Sequence, residues 1–375
     1  MMDQIQSSLK LDKSGWSLVR FGDVVYEPKE TIKDLVVEGV EHVVGLEHID
    51  SENIHLQRSA SIEESTTFTK KFDVSDVLFG RRRAYLKKAA QASFAGICSG
   101  DITVFRAKGG LSPKLLPFIV QNENFFDYAI KHSAGGLSPR VKFKDLANYE
   151  FLLPPKDQQS KLAELLWAMD GVVEREYAVV EKLEVQRGVT FKYLVDSAKG
   201  DMMPLSDILI PKKLKSTVPH ERERYIGLEH INSGAFNCTQ WGTTAEVQAQ
   251  CNIVDSGDLC YSKLRPYLDK AFIASFDAVS TTELLIYDSI KASKEYLLQH
   301  LHSKQFVDYV SGKGFGTKMP RVSHKIIGDY PIKVINNEKE IITQTRIIME
   351  SIDLLRKKLL STKSLQKSII NQVFS

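Results

Sequence analysis

The chain has 375 residues, beyond the ~250–300 at which a single hydrophobic core usually stops growing, so more than one domain is expected. At 43% hydrophobic and 26% charged residues, the composition excludes disordered, collagenous and disulfide-scaffold classes. With 50 basic and 47 acidic residues the formal net charge is only +3, so any surface for a polyanion has to be local.

In chain order, Met1-Met2-Asp3-Gln4-Ile5-Gln6 lacks the basic start and apolar stretch of a signal peptide. No apolar run approaches the ~18 residues needed to cross a bilayer. Cys98, Cys238, Cys251 and Cys260 form no Cys-x-x-Cys pair, and a cytoplasmic protein with free thiols is expected. Residues 19–25 and 101–105 read as short strands, and 115–132 as an amphipathic helix. After Leu153-Pro154-Pro155, apolar residues recur at Leu162, Leu166, Met169, Val173, Val180, Leu183 and Leu194, with Thr190 in the series and Glu176 and Arg187 interrupting it. In the second half, 283–287 reads as a strand and 294–310 as a helix. A second heptad series runs from Ile341 through Ile348, Ile352, Leu355, Leu359 and Ile369 to Val373, with Thr345 and Thr362 in register. Heptads this long favour a coiled-coil helix, a rod of roughly 60 Å at 1.5 Å per residue. The alternative is a pair of core helices inside each domain.

The chain is written twice. Gly45-Leu46-Glu47-His48-Ile49 returns as Gly227-Leu228-Glu229-His230-Ile231, an offset of 182. Asp76 meets Asp258, Tyr85 meets Tyr267, and Lys88-Ala89 meets Lys270-Ala271 on the same diagonal. After one gap the offset is 181, where Pro139-Arg140-Val141 meets Pro320-Arg321-Val322. So long a period marks a duplicated domain rather than a solenoid. Neither half shows regular strand–helix alternation, and each is expected to be an α/β domain around an irregular sheet.

Catalytic motifs are missing. There is no Gly-x-Gly-x-x-Gly after a strand, and Gly312-Lys313-Gly314-Phe315-Gly316-Thr317-Lys318 lacks the Walker spacing. The Asn/Asp-Pro-Pro-aromatic signature of an adenine methyltransferase is absent, since Leu153-Pro154-Pro155-Lys156 has neither its polar leader nor its aromatic. His300 and His302 lie two apart on a predicted helix, a spacing that points them away from each other and from a shared metal. His48 and His230 read as capping or positioning residues, with acid–base work as the alternative. No cofactor or metal site is expected, and the chain reads as a binder.

Two basic clusters recur in both halves. The first is Arg81, Arg82, Arg83, Lys87 and Lys88 with Tyr85, echoed by Lys263, Arg265 and Lys270 with Tyr267. The second holds Arg140 and Lys142 after Gly135-Gly136, echoed by Lys318, Arg321 and Lys325 around Gly316. Lysine and arginine neutralise phosphates, arginine forks onto guanine, and glycines admit close backbone approach. One basic run alone reads as a solvated face; recurrence at equivalent places points to nucleic acid.

At these residues the chain resembles the specificity subunit (HsdS) of type I restriction–modification systems. The resemblance rests on the repeated Gly-Leu-Glu-His-Ile, on Leu264-Arg265-Pro266-Tyr267-Leu268-Asp269-Lys270-Ala271, and on the turn at 316–321 leading through Tyr330-Pro331-Ile332 to a long helix. The first half departs from it, with Arg81-Arg82-Arg83-Ala84-Tyr85 and with Gly136-Leu137-Ser138-Pro139 lacking the threonine. The resemblance implies an α/β fold of two globular target-recognition domains, residues 1–153 and 199–336, joined by two long antiparallel coiled-coil helices, residues 154–198 and 337–375. It implies a non-catalytic subunit that binds double-stranded DNA, each domain reading one part of a split asymmetric target while the helices set the spacing. It also implies two modification (methyltransferase) subunits and restriction (translocase–nuclease) subunits as partners, which carry the S-adenosylmethionine, ATP and Mg²⁺ chemistry. Leu165, Trp167, Val172 and Ile347 are candidates for the partner surface; equally, they widen the seam between the helices. A protein–protein scaffold whose basic clusters only solubilise it is the rival class, and a self-contained methyltransferase or nuclease is disfavoured by the missing motifs.

Overall fold

A computed structural model describes residues 12–374, apart from 33, 35–38, 63–66 and 317–318. The chain divides into two compact units, Met1–Glu176 with Leu359–Ser375, and Tyr177–Lys358.

In the first unit one sheet orders its strands Val25–Tyr26, Ile102–Ala107, Val77–Gly80, Ala89–Ala92 and His55–Leu56, antiparallel except for the last pair. Val43–Val44, Gly96–Cys98 and Lys70–Phe72 form a smaller sheet, and Ser17–Arg20 pairs with Glu150–Leu153. Strand alternation divides the apolar residues between two cores. Val77 and Phe79 enter one with Phe21, Phe105 and Phe125, while Leu78, between them, enters the other with Val44, Phe72 and Val104. Rings carry much of the first core, with Phe79 stacked 5.4 Å from Phe105 and edge-on to Phe125 at 5.7 Å.

The second unit repeats this at the 182-residue offset. Leu259–Ser262 stands where Val77–Gly80 does, Leu284–Ser289 where Ile102–Ala107 does, and Ala278–Ser280 where Gly96–Cys98 does. Leu259 and Tyr261 face one core, and Cys260 faces the other. All four cysteines are buried and free, and burial pushes the Cys98 thiol up to about 12.

Three sequence expectations change. Residues 19–25 are not one strand: Ser17–Arg20 gives way to a helical turn, Phe21–Val24, and then to Val25–Tyr26. The turn buries Phe21 and Val24, three apart, while Gly22 donates its N–H to the Ala147 carbonyl at 2.9 Å. The helices expected over 115–132 and 294–310 are each broken. Leu116–Val120 is followed by Glu123–Lys131, and Lys294–Leu301 by Lys304–Gly312. The cause is a cap at equivalent places: the Asn122 side chain accepts from the Asn124 N–H, and Ser303 from the Phe306 N–H.

Two long helices, Lys156–Ser197 and Glu338–Phe374, contribute to both units. Leu162, Leu166, Val173 and Val180 are buried on the first, and Ile341, Thr345, Ile352, Leu359, Ile369 and Val373 on the second. The helices run antiparallel within each unit. In the first, Leu162 and Leu166 share a core with Ile369, Ile370, Val373 and Phe374, and Gln366 bonds Asp170. In the second, Phe191 and Val195 pack with Ile341, and Glu184 pairs with Arg356. Arg187 interrupts the heptads without breaking the helix because its guanidinium lies 4.9 Å over the Phe236 ring; burial lowers its pKa.

One crevice distinguishes the copies. In the first unit it is filled by Ile370 and Phe374, whose counterparts in the second are Gly188 and Lys192. There a cavity of about 1040 Å³ remains, lined by Gly188, Phe191, Lys192, Gln299, His300 and Lys304 among others.

Candidate nucleic-acid interface

Each unit builds the same small device from two segments far apart in sequence. In the first, Val77–Gly80 runs into Arg81-Arg82-Arg83, a single turn Ala84–Leu86, and the returning strand Ala89–Ala92. Arg83 (φ 55°) and Lys87 (φ 48°) flank the turn in the left-handed region, which is unfavourable for residues with a Cβ. The bend is held from outside: the Arg83 N–H donates to the Pro139 carbonyl at 2.8 Å, and the Val141 N–H to the Arg81 carbonyl at 3.0 Å. The second unit repeats this with Arg265 (φ 50°) and Asp269 (φ 47°). Its bonds run from the Arg265 N–H to Pro320 at 2.7 Å and from the Val322 N–H to Lys263 at 2.9 Å. Pro266, buried at the first position of its turn, takes the place of Ala84.

The segment that holds the turn is itself a tight hairpin. Ala134 and Arg140 exchange two backbone bonds of 2.9 Å each, as do Phe315 and Arg321. Gly135 (φ 112°) and Gly316 (φ 97°) make the reversal, a backbone region closed to side chains with a Cβ.

The repeated pentapeptide also acquires a role. The Gly45 N–H donates to His48 Nδ1 at 2.9 Å, and the Gly227 N–H to His230 Nδ1 at 2.9 Å. Both histidines therefore cap a turn. Lys88 Nζ reaches the Leu46 carbonyl and Lys270 Nζ the Leu228 carbonyl, each at 2.7 Å. These lysines tie the pentapeptide to the basic turn, and burial lowers the Lys270 pKa.

The cations expected at the interface accordingly fall into two groups. Arg82 bonds Asp101 and the Ser138 hydroxyl, both at 3.1 Å, and Arg140 meets Asp101 at 2.8 Å. Burial alone would raise the Asp101 carboxyl, but the guanidiniums of Arg140 and Arg82 outweigh it and hold it below the ordinary range. Glu283 takes the place of Asp101 and binds Arg321 at 3.1 Å. Lys87 lies 2.9 Å from Glu123, which also meets Lys367. The charges of Arg82, Arg140, Arg321 and Lys87 are thus engaged inside the fold. Arg83, Lys142, Arg265 and Lys325 are exposed and make no ion pair among the described residues, and Lys263 is half-buried and equally unpaired. Arg81 is half-buried; Lys318 lies outside the described residues. Tyr85 and Tyr267 are each 52% exposed beside the free arginines. Sequence reasoning passed over Leu137, exposed at the first hairpin's tip, and Phe315 and Met319, exposed on the second hairpin, where Phe315 belongs to the closing pair with Arg321; apolar residues between a glycine and Pro139 or Pro320 are the signal that could have found them.

Of the residues considered for a partner surface, Leu165, Val172 and Ile347 are exposed. Trp167 is not available in the same way. Its ring stands edge-on to Phe118 at 5.1 Å and its Nε1 donates to the Lys114 carbonyl at 2.9 Å, so it packs into its own unit. Among the described residues no cluster of His, Cys, Asp or Glu could hold a metal ion. Among them, too, no helix is long and apolar enough to cross a membrane.

The geometry is thus a pair of copies, each with a clamped turn that projects an unpaired arginine and a tyrosine. Comparison with solved structures then decides the architecture. The type I restriction–modification S subunit from M. genitalium matches 98% of this chain and 98% of its own, with a TM-score of 0.53 at 13% identity. The fold is that of a type I specificity subunit. The HsdS subunit from Thermoanaerobacter tengcongensis aligns over 98% of each chain at 18% identity with a TM-score of 0.42. A chain from a structure on assembly and conformational transition of the type I R-M system aligns over 96% of each at 16% identity, TM-score 0.47. In sequence, the chain is 25% identical over 173 residues to the type I restriction enzyme EcoDI specificity subunit of Escherichia coli. That match covers 44% of this chain and spans 39% of the relative's length. No protein-family model matches the chain.

Proposed function

We propose that this chain is the DNA-specificity subunit of a type I restriction–modification complex. Each unit reads one part of a split target in double-stranded DNA. The segments at 154–198 and 337–375 set the spacing between the recognition domains, 1–153 and 199–336, and dock two modification subunits. Leu165, Val172 and Ile347 lie on that docking face. The chain itself catalyses nothing; S-adenosylmethionine, ATP and Mg²⁺ are used by the modification and restriction subunits, in the cytoplasm of a prokaryote.

The observation that carries this reading is the twofold recurrence of an exposed, unpaired arginine and a half-exposed tyrosine on a turn clamped by the same pair of backbone bonds. Arg83, Tyr85 and Lys142 are the DNA contacts of the first unit; Lys263, Arg265, Tyr267, Lys318 and Lys325 are those of the second. Arg81, Arg82, Lys87, Lys88, Arg140, Lys270 and Arg321 hold the device in place. Phosphate contacts fix register, while arginine at base edges supplies sequence.

The test is to exchange residues 1–153 for those of a relative with a different target and to map modified adenines in a host that also makes the modification subunit. One part of the methylated sequence should change while the other stays. Change in both parts, or methylation without sequence preference, refutes the assignment; the second result favours the scaffold reading.

A further inference from the structure

The cavity of about 1040 Å³ in the second unit is lined by that unit alone, and the duplication shows how it is built. Two of its walls have lost the apolar bulk of the first unit. On the long helix, Gly188 and Lys192 stand where Ile370 and Phe374 do, and a Cβ added at Gly188 would meet nothing within 4 Å. On Lys294–Leu301, at the 181-residue offset, Gln299 and His300 stand where Phe118 and Ile119 do. These polar side chains are not on the surface: Gln299 is 1% exposed, His302 5% and His300 8%. Among the described residues, Oε1 and Nε2 of Gln299 and Nε2 of each histidine have no hydrogen-bond partner, and all three side chains line the cavity. Buried polar groups in folded proteins are nearly always bonded, so three together at one cavity mark a place that receives the polar edge of a ligand. Phe191, Val195, Val307 and Ile332 make other parts of the lining apolar. Apolar walls with a few convergent polar groups, in a volume near the top of the range of ~300–1,000 Å³, are the usual form of a small-molecule site.

The charged groups at this cavity are already engaged. Lys192 pairs with Asp196 and Lys304 with Asp308, Lys333 donates to the Val195 and Asp196 carbonyls, and Arg187 lies over the Phe236 ring. Glu184 meets Arg356, and His302 gives its Nδ1 to Asp269 at 2.8 Å. Burial keeps His300 neutral, its pKa pushed down to about 3. The site therefore suits a neutral ligand rather than a phosphate or a carboxylate.

We propose that this cavity binds a neutral nucleobase, presented as its nucleoside. A base has apolar faces and an edge on which donors and acceptors stand side by side. The Gln299 amide offers one donor group and one acceptor, the match that lets glutamine fork onto adenine. The unpartnered imidazole nitrogens of His300 and His302 serve further polar atoms of the same ligand. Phe191 and His300, whose rings stand edge-on at 4.9 Å, supply aromatic surface of the kind that bases stack against. The first unit holds no such ligand, because Phe118, Ile119, Ile370 and Phe374 close the equivalent place. The inference is independent of the DNA-binding reading, since it concerns a site that one copy has and the other lacks.

The experiment is calorimetric titration of the full chain with adenosine, guanosine, cytidine and uridine, and with toluene as an apolar probe. At least one nucleoside should bind at one site per chain, about tenfold or more tighter than toluene. Gln299→Leu, which keeps the bulk and removes the amide, should weaken that nucleoside by about tenfold or more and leave toluene binding no weaker. Gly188→Ile combined with Lys192→Phe restores the side chains that plug the first unit. It should abolish binding of every probe without lowering the melting temperature. No nucleoside bound by the wild-type chain, or toluene bound as tightly as the nucleosides, overturns the proposal. Nucleoside binding that survives in the plugged chain, or that Gln299→Leu leaves unchanged, overturns it as well. Should the plugged chain melt early, Gln299→Leu alone decides. No DNA enters these measurements, so their failure leaves the DNA-binding reading standing.

Discussion

Whether a cation is free or engaged decides what its removal should do to DNA binding. Arg83 and Arg265 are exposed and make no ion pair among the described residues, whereas Lys87 lies 2.9 Å from Glu123. Removing one cation from a phosphate should lower the slope of log K against log salt by about 0.9. At 0.1 M salt that slope corresponds to about 8-fold in affinity per neutralised phosphate, or about 1.2 kcal/mol. Arg83→Ala and Arg265→Ala should each remove about one such increment, and the double variant about 1.8 in slope, because the two residues belong to separate units and share no partner. Lys87→Ala should leave the slope nearly unchanged, since its ammonium is already neutralised by a carboxylate. Its effect should appear as lowered thermal stability. Anisotropy with a labelled target duplex between 0.05 and 0.3 M salt reads both quantities. A Lys87→Ala slope reduced as much as that of Arg83→Ala, or an Arg83→Ala slope equal to wild type, would refute the division into free and engaged cations.

Two further predictions concern stability. Phe374 is 1% exposed in the first unit's core, so Phe374→Ala should cost about 3–5 kcal/mol. Hydrogen exchange should quicken in Val77–Gly80 and Ile102–Ala107 while Leu259–Ser262 keeps its protection; equal losses in both units would contradict the assignment of this residue to one core. His55 Nε2 lies 2.6 Å from Asp170 Oδ2 on the first long helix, and that hydrogen bond raises the His55 pKa against the opposing effect of burial. A pKa raised by folding contributes stability that is complete below about 6.5, the unfolded value, and is lost as pH rises through the folded value. Exchange protection around residues 162–173, corrected for intrinsic rates, should therefore fall as pH rises above about 6.5. His55→Gln should abolish that pH dependence, and an unaltered pH profile in the variant counts against the pair.

The duplication and the long helices were legible because the signals that carry them survive one-dimensional reading. A repeated pentapeptide and heptads sustained over tens of residues need no knowledge of contacts. Even Asp76 and Asp258, matched across the repeat, prove equivalent in space: each receives a cation, Arg106 in one unit and Lys212 in the other, delivered from different strands. That substitution of donors is invisible in an alignment, since the two cations do not share an offset. The helix breaks were missed because apolar periodicity continues through them, and the caps at Asn122 and Ser303 act locally against it. The interface was legible in composition and not in electrostatics. Arg82 and Arg140 look as available as Arg83 until folding brings both to Asp101. Trp167 looked like surplus apolar surface on a rod, yet a tryptophan reaches further than the heptad seam and finds Phe118.

The first unit's hydrophobic interior includes Ile369, Ile370, Val373 and Phe374, separated from its other members by all of residues 177–358. A ribosome therefore releases the ingredients of this unit in two instalments, with the second unit made whole in between. The contiguous unit can complete itself during translation, while the earlier one waits with an apolar trough uncovered until the closing helix emerges. The half of the molecule that is synthesised first is the half that matures last, and it is the one that would call on chaperones.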